Sequence, residues 1–159
     1  MRVEAKMEEA GVVLPPASEP RPDFPTPFTR IRRHRNRIFV SGQGPRDADG
    51  GYGGPWGSVP SEVTLEDGQH AARKVAVAML SDLSRELGDL DRITAWMMVS
   101  GFVNADPGYE KTTLVMNGFS DLILELFDPG IGEHARSSIG VAALPNNVPV
   151  IVAAELEYE

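Results

Sequence analysis

Apolar and polar positions follow two periodicities along this chain, one typical of helices and one typical of strands. A helical pattern begins after Thr64, an N-cap with Asp67 in the capping-box position, and stops at Gly88. A second helical pattern follows Pro107-Gly108 and ends at Asp128-Pro129-Gly130. The side chains that we expect to face the core are Ala72, Val75, Met79, Leu83 and Leu87 in the first helix, and Val115, Phe119, Leu122, Ile123 and Leu126 in the second.

The second helix is interrupted by Asn117 and Gly118, two poor helix formers. Such a pair destabilises a helix by roughly 1 kcal/mol or more relative to alanine. It is often tolerated where the backbone must come close to something, so we expect a close contact at this point of the helix.

The strand-like segments comprise a hairpin and three single strands. The hairpin spans residues 29–42 with a turn at His34-Arg35-Asn36, and the segment from Leu90 to Val103 is apolar on both faces. The run from Ser137 to Leu144 holds no charged residue and is closed by a turn, and Val148 to Tyr158 alternates. The order predicts an α+β fold in which helices cover one face of a mixed sheet and oligomerisation buries the other.

Residues 1–27 are predicted to form a separate N-terminal part, ahead of an α+β domain over residues 28–159. Val3 to Ala10 reads as a short amphipathic helix stopped by Gly11, and the prolines that follow impose an extended arm. The arm is expected to lie across the domain or a neighbouring subunit, with disorder as the alternative.

Composition limits the classes of partner. The chain has 159 residues, 42% of them hydrophobic, which is enough for one domain with a proper core. Its formal net charge of -8 argues against general binding to nucleic acid or to an anionic membrane surface. With no cysteine, thiolate catalysis and cysteine-bound metals are excluded, and no segment is typical of a signal peptide or a membrane span. A cytoplasmic protein is the expectation.

Two local patterns suggest function only weakly. The hairpin carries a cluster of arginines, for which an RNA-binding face is conceivable, but a solvated face or ion pairs between subunits fit the acidic chain better. The glycine-rich loop over residues 42–57 has no Gly-Lys-Ser or Gly-Lys-Thr, so it is interpreted as a long loop rather than a phosphate site.

Arg136 is the strongest candidate for a functional side chain. It stands at the entrance of the charge-free strand that begins at Ser137. An arginine there can extend to water, pair with a carboxylate of the chain, or offer its planar fork to the carboxylate of a small ligand. The residues alone leave these three interpretations open.

A set of motifs in this order resembles the Rid (YjgF) family over nearly the whole chain. The motifs are Val40-Ser41-Gly42-Gln43, Gly88-Asp89-Leu90-Asp91-Arg92, Asn117, Arg136-Ser137 and Leu144-Pro145. The N-terminal arm and His134-Ala135-Arg136-Ser137 are similar to a longer, mostly uncharacterised subgroup. The resemblance implies a chorismate-mutase-like homotrimer with clefts for small carboxylates between its subunits. It also implies hydrolysis of 2-imino acids to 2-oxo acids and ammonia without metal or organic cofactor.

The resemblance assigns roles to individual residues. Arg136 would bind the ligand carboxylate, and Ser138 and the loop Ser41-Gly42 would face the ligand, with Asn117 also in the site. Two positions depart from the family. Phe28 stands where a tyrosine is usual, and Ile151 stands where a glutamate is thought to hold and activate water, which isoleucine cannot do. Glu155 lies on the same strand face, roughly 13 Å further along, too far to replace it.

His134 is a further candidate, because it precedes Arg136 by two positions and can titrate near neutral pH. A hydrogen-bonding role in the loop is the simpler interpretation. Acidic pairs such as Asp89 and Asp91 are interpreted as solvated groups, and no metal site is expected. Two functions remain open, a cofactor-independent 2-imino acid deaminase and a non-catalytic trimeric binding protein for 2-oxo acids or related metabolites. A ribonuclease ranks third.

Overall fold

A computed structural model describes residues 2–159 and shows one five-stranded sheet with helices packed on one face. The strands are β1 (Ile31–His34), β2 (Arg37–Gln43), β3 (Ile93–Asn104), β4 (Ala135–Val141) and β5 (Val150–Tyr158). The helices are α1 (Arg2–Glu9), α2 (Leu65–Leu87), α3 (Thr112–Leu126) and the short α4 (Pro129–Gly132). No helix in this part of the chain is both long and apolar enough to span a bilayer.

The sheet is mixed, in the order β1-β2-β5-β3-β4. β1 and β2 form the predicted hairpin, and β5 pairs antiparallel with both β2 and β3. β4 pairs with β3 in parallel, which requires a crossover connection, and α3 lies in that connection. The predicted α+β fold with a mixed sheet is confirmed, and β4 forms one edge of the sheet.

The ends of α2 follow from its terminal residues. Thr64 Oγ1 accepts a hydrogen bond from the Asp67 backbone N–H at 3.1 Å, as a helix N-cap should. At the other end Gly88 has a φ of 79°, the left-handed conformation that favours glycine at a C-cap. Both predicted boundaries of this helix are confirmed.

α2 and α3 pack closely where the sequence places its poor helix formers. A β-carbon added to Gly118 would lie 2.0 Å from the carbonyl oxygen of Gln69 on α2. Only glycine therefore fits at this point, and the expected close contact is with the backbone of the neighbouring helix.

The two faces of the sheet differ in burial. Along β5, Val150, Val152 and Leu156 are fully buried beneath the helices, whereas Ile151 and its alternate neighbours are only half-buried. On the open face, Ile139 is 50% exposed, although it is a large apolar side chain. The single chain therefore leaves apolar groups of this face in water.

The N-terminal part packs on the domain. Val3 and Met7 of α1 are buried and join the main core. Beyond the helix, the carbonyl oxygen of Pro15 accepts hydrogen bonds from Ser81 Oγ at 2.6 Å and from Arg85 Nη1 at 3.3 Å. The arm thus lies across α2 of its own chain.

Several strand boundaries differ from the prediction, and β4 spans Ala135–Val141, which includes Arg136, rather than the expected run from Ser137 to Leu144. The segment from Leu90 to Arg92 is a 3₁₀ turn, and β3 begins at Ile93. Asp89 causes this, because its side chain accepts a hydrogen bond from the Asp91 N–H at 2.8 Å and so caps a turn. The last strand begins at Val150 rather than at Val148, after Pro149, which has no N–H for the ladder.

Three arginines of the hairpin region form ion pairs within the chain. The pairs are Arg30 with Asp82 at 3.5 Å, Arg33 with Glu86 at 3.1 Å, and Arg37 with Glu155 at 3.3 Å. All three arginines keep contact with water, so each pair contributes little to stability.

Candidate functional site

Arg136 extends from β4 toward α3 and is held there by three neutral oxygen atoms. Its Nη1 donates to Ser120 Oγ at 2.9 Å, and its Nη2 donates to Asn117 Oδ1 at 3.0 Å and to the Thr113 carbonyl at 3.2 Å. Thr113, Asn117 and Ser120 are spaced by four and three residues, so they share one face of the helix. This polar stripe is visible in the sequence, but only Asn117 was singled out there.

The charge of Arg136 has no acidic partner within ion-pair distance among residues 2–159. Burial lowers the pKa of its guanidinium, and the charge of Asp121 raises it. Since the pKa of an arginine guanidinium lies far above neutral pH, the group stays protonated. A partly buried charge without a counterion is unfavourable, and an anionic ligand would relieve that.

His134 continues the hydrogen bonds that start at Arg136. Its Nδ1 lies 2.7 Å from the Gly132 carbonyl, so Nδ1 carries the proton and donates it. The other nitrogen, Nε2, then accepts from Ser120 Oγ at 2.8 Å. Burial lowers the pKa of His134; the hydrogen bond to Gly132 raises it, and the charge of Arg136 lowers it further. Both ring nitrogens have protein partners, as in the simpler interpretation of this residue.

A cavity of about 360 Å³ opens beside these groups. Its lining residues are Asn117, Ser120, Asp121, Leu124, Glu133, His134 and Arg136. Ser138, two positions along β4, does not line it. The Ser138 hydroxyl is buried without a hydrogen-bond partner in the described chain, while its carbonyl accepts from Thr112 Oγ1 at 3.0 Å.

Phe28, Gly42 and Ile151 meet in a different cavity, of about 200 Å³. A β-carbon on Gly42 would lie 2.9 Å from Ile151 Cγ2. The glycine therefore lets the Ile151 side chain of β5 pack against the backbone of β2. Ser41 does not line this cavity. Its hydroxyl donates to the Thr29 carbonyl at 2.7 Å and ties the segment after Phe28 to β2.

Gln43 is a residue of this second cavity to which the family resemblance assigned no role. Its side chain is only 6% exposed, yet neither its amide nitrogen nor its amide oxygen has a hydrogen-bond partner among the described residues. A buried amide normally satisfies both groups. Here it offers one donor and one acceptor next to Gly42 and Ile151.

The candidate residues thus fall into two groups that one chain does not bring together. Ile151 pairs across the sheet with Phe102, whereas Ser138 pairs with Gly101. Consecutive residues of a strand point to opposite faces, so Ile151 belongs to the open face and Ser138 and Arg136 to the helix face. Glu155 is ion-paired with Arg37, as described above.

Three acidic side chains also come together, although the sequence suggested no acidic cluster. Single carboxylate oxygens of Glu4, Asp89 and Asp91 lie within 4.8 Å of one another. Each of these side chains accepts a backbone N–H: Glu4 from Leu90 at 3.2 Å, Asp89 from Asp91 at 2.8 Å, and Asp91 from Arg2 at 2.5 Å. The cluster therefore fastens α1 to the turn before β3.

Comparison with known proteins finds relatives over the full length. The chain is 36% identical to Protein TCP17 of Trypanosoma cruzi over 156 residues, which is 98% of this chain and 94% of that protein. No family model matches the sequence.

Solved structures share the fold. Protein Atu1372 of Agrobacterium tumefaciens, of unknown function, is 32% identical with a TM-score of 0.85, over 99% of this chain and 92% of that one. The YjgF gene product of E. coli is 22% identical with a TM-score of 0.59, over 90% of this chain and 97% of that one. Atu1372 is thus more similar to this chain than the YjgF gene product is, both in sequence identity and in TM-score.

Proposed function

Since this chain belongs to the Rid (YjgF) family, we propose that it binds small carboxylates in clefts between the subunits of a homotrimer. We propose further that it hydrolyses 2-imino acids there to 2-oxo acids and ammonia, at a low rate. The observation that carries the proposal is Arg136, a half-buried cation beside a cavity with no carboxylate partner in the described chain.

The division of the site into two groups supports a cleft between subunits. One chain carries Arg136 and Asn117 at the edge strand β4, and carries Phe28, Gly42 and Ile151 around a separate cavity. In the proposed trimer the first group of one subunit faces the second group of its neighbour. The partly exposed apolar side chains of the open face, Ile139 among them, would then be covered by a second copy.

The reaction needs only water. The oxygen of water adds to C2 of the imine, the C–N bond breaks, and the nitrogen leaves as ammonia once it has taken up protons. Arg136 would hold the substrate carboxylate and so orient C2 toward the neighbouring subunit's Gly42 and Gln43. Ile151 can neither hold nor activate the water, so a general-base contribution of roughly a hundredfold or more is missing from the rate.

The alternative is a trimeric binding protein that performs no chemistry. Two apolar side chains favour it, Phe28 and Ile151, because both stand where the family resemblance expects polar groups. A binding protein would need Arg136 to hold the carboxylate, but it would not need a group that activates water. The two functions therefore share a ligand class and differ only in turnover.

One experiment on the purified protein separates them. 2-Iminobutyrate and 2-iminopropionate are generated in situ, and ammonia release is compared with and without protein. Calorimetry with 2-oxobutyrate measures binding in parallel. Faster ammonia release supports the deaminase, and binding without faster release supports the binding protein. If neither occurs, the proposed function is wrong.

Arg136→Ala is the variant that tests the anchor. A charge-assisted hydrogen bond contributes roughly 1.5 to 3 kcal/mol, so affinity for 2-oxobutyrate should fall by about ten- to a hundredfold. Lys111→Ala is the matched control, because it removes one exposed positive charge at the start of α3.

Light scattering tests whether the protein is a trimer. A monomer at micromolar concentration would contradict the proposed cleft between subunits.

A further inference from the structure

A cavity of about 440 Å³ lies between the N-terminal arm and the glycine-rich loop. The arm contributes Arg21 and Phe24, the loop contributes Arg46 and Tyr52, and Arg30 lies between them. This cavity contains none of the groups around Arg136, but it shares four residues with the cavity at Ile151, namely Phe24, Thr26, Arg30 and Tyr52. Its volume is within the range of small-molecule sites, roughly 300 to 1,000 Å³.

Arg46 is the deepest charged group of this cavity. Only 7% of the residue is exposed, a rare degree of burial for an arginine. Its Nη1 donates to the Gly50 carbonyl at 3.0 Å, while its Nε is buried with no hydrogen-bond partner within residues 2–159. None of the ion pairs in that part of the chain includes Arg46. A buried guanidinium normally has a carboxylate or a phosphate as its partner.

The charges nearby do not neutralise it. Burial lowers the pKa of Arg46, and the charges of Arg30 and Arg85 lower it further while Asp82 raises it. Asp82 already pairs with Arg30 at 3.5 Å and with Arg85. One carboxylate therefore lies near three cations, Arg30, Arg46 and Arg85. The cavity wall holds three arginines and the two exposed acids Glu19 and Asp49, and of the arginines Arg21 is paired with Asp23 at 2.9 Å.

Two aromatic rings form the other part of the wall. The Arg21 guanidinium lies 5.8 Å from the Phe24 ring centroid and 5.9 Å from that of Tyr52, and Arg46 lies 5.6 Å from the Tyr52 centroid. These cation–π contacts hold the rings in place at the cavity. The rings offer an apolar surface to the body of a ligand whose charged end reaches Arg46.

We propose that the arm and the glycine-rich loop form a second ligand site, which takes a small organic anion with its carboxylate or phosphate on Arg46 and its apolar body against Phe24 and Tyr52. Arg30 lies on the wall toward the Ile151 cavity and completes the anion contact. The site is independent of Arg136 and does not require the proposed deaminase activity.

The test uses the full chain and calorimetry with four probes. Phenyl phosphate and phenylacetate carry the two candidate anionic groups on one apolar body, inorganic phosphate lacks the body, and benzyl alcohol lacks the charge. We expect one of the two aromatic anions to bind at least about tenfold more tightly than benzyl alcohol and than inorganic phosphate. The preferred anion identifies whether the natural ligand carries a carboxylate or a phosphate.

Variants locate the binding. Arg46→Gln should weaken the preferred anion by roughly ten- to a hundredfold, and it should do so by the same factor in an Arg136→Ala background, where the proposed carboxylate cleft no longer contributes binding. Because Arg46 is buried, its variant must first be shown to unfold cooperatively. If Arg46→Gln does not fold, Arg30→Gln and Phe24→Ala test the site instead. Both side chains are partly exposed, so their replacement should leave the fold intact, and both variants should bind the anion more weakly.

Three results would overturn the proposal outright, and a fourth would place the anion in another cavity. They are the absence of binding by either aromatic anion at millimolar concentration, equal binding of benzyl alcohol, and binding that Arg136→Ala abolishes while Phe24→Ala and Arg30→Gln leave it intact. Arg46 also borders a cavity beside α2, where Lys74 pairs with Asp47 at 2.8 Å. Insensitivity to Phe24→Ala and Arg30→Gln would place the anion there and would equally contradict the arm site.

Discussion

Ser120 Oγ accepts a hydrogen bond from Arg136 Nη1 at 2.9 Å, which makes a buried serine of α3 responsible for the position of a strand arginine. The same hydroxyl donates to His134. Ser120 therefore links Arg136 to His134. In the sequence it is only one polar position among apolar ones.

Ser120→Ala should weaken carboxylate binding without abolishing it. The substitution leaves His134 Nε2 without its donor and frees one N–H of Arg136, which should lower the free energy of unfolding by about 1 to 3 kcal/mol. Calorimetry with 2-oxobutyrate should show a smaller loss than for Arg136→Ala. Ser84→Ala on α2 is the control, because that half-buried serine makes no side-chain hydrogen bond in the described chain. Equal affinity in Ser120→Ala and wild type would mean that Arg136 needs no support from Ser120.

Ile151→Glu should raise the rate of 2-iminobutyrate hydrolysis. It restores a carboxylate beside Gly42, where general-base assistance contributes roughly a hundredfold to ten-thousandfold. Ile151→Gln, which has a similar size and no charge, is the matched control and should stay as slow as wild type. Because desolvation can raise the pKa of the new carboxyl and reduce stability, thermal unfolding is checked first. A wild type that is already fast, with a folded Ile151→Glu variant no faster, would contradict the assignment, and His134 would be the next residue to mutate.

Gly118→Ala should separate α2 from α3. Its β-carbon would lie 2.0 Å from the Gln69 carbonyl, and overpacking of this kind lowers the free energy of unfolding by about 1 to 3 kcal/mol or more. Chemical denaturation measures the loss. Gly130→Ala is the control, since a β-carbon there meets nothing within 4 Å. Equal stability of the two variants would show that the helices separate without cost.

Stability should depend on pH through His134. Burial holds the pKa of His134 below its ordinary value of about 6.5, so the unfolded chain binds the proton more readily than the folded one. The contribution of the neutral ring is fully present above pH 6.5 and is lost as the pH falls through the lowered pKa. Unfolding curves between about pH 5 and 7.5 should show this decline in wild type. In His134→Gln the free energy of unfolding should fall less as the pH is lowered over this range. An equal fall in both proteins would mean that the pKa of His134 is not lowered by folding.

Local signals predicted the elements of this fold well. Thr64 and Gly88 mark the ends of α2 because capping depends on residues that are close in sequence, and the alternation along β5 assigns each side chain to a face. The 3₁₀ turn at Leu90–Arg92 was missed because Leu90 lies just ahead of the apolar run that begins at Ile93, and a single capping aspartate decides the backbone there.

Long-range contacts were harder to predict. The sequence identified Arg136, but its partners Thr113, Asn117 and Ser120 lie 16 to 23 residues earlier, and no local pattern links them to it. Arg46 was missed altogether, because an arginine in an irregular glycine-rich loop carries no periodicity that would indicate burial. Two ion pairs of the hairpin region, Arg30 with Asp82 and Arg33 with Glu86, likewise depend on how α2 lies against the hairpin.

α3 has two neighbours at once, since Phe119 and Leu122 face the core while Thr113, Asn117 and Ser120 face Arg136. The angle between these faces is fixed by the helix, so any rotation or sliding of α3 moves both together. A substitution in the core that shifts the helix by a fraction of an ångström will therefore re-aim Arg136. In the proposed carboxylate site, selectivity would therefore depend on core residues of α3 that the ligand never touches.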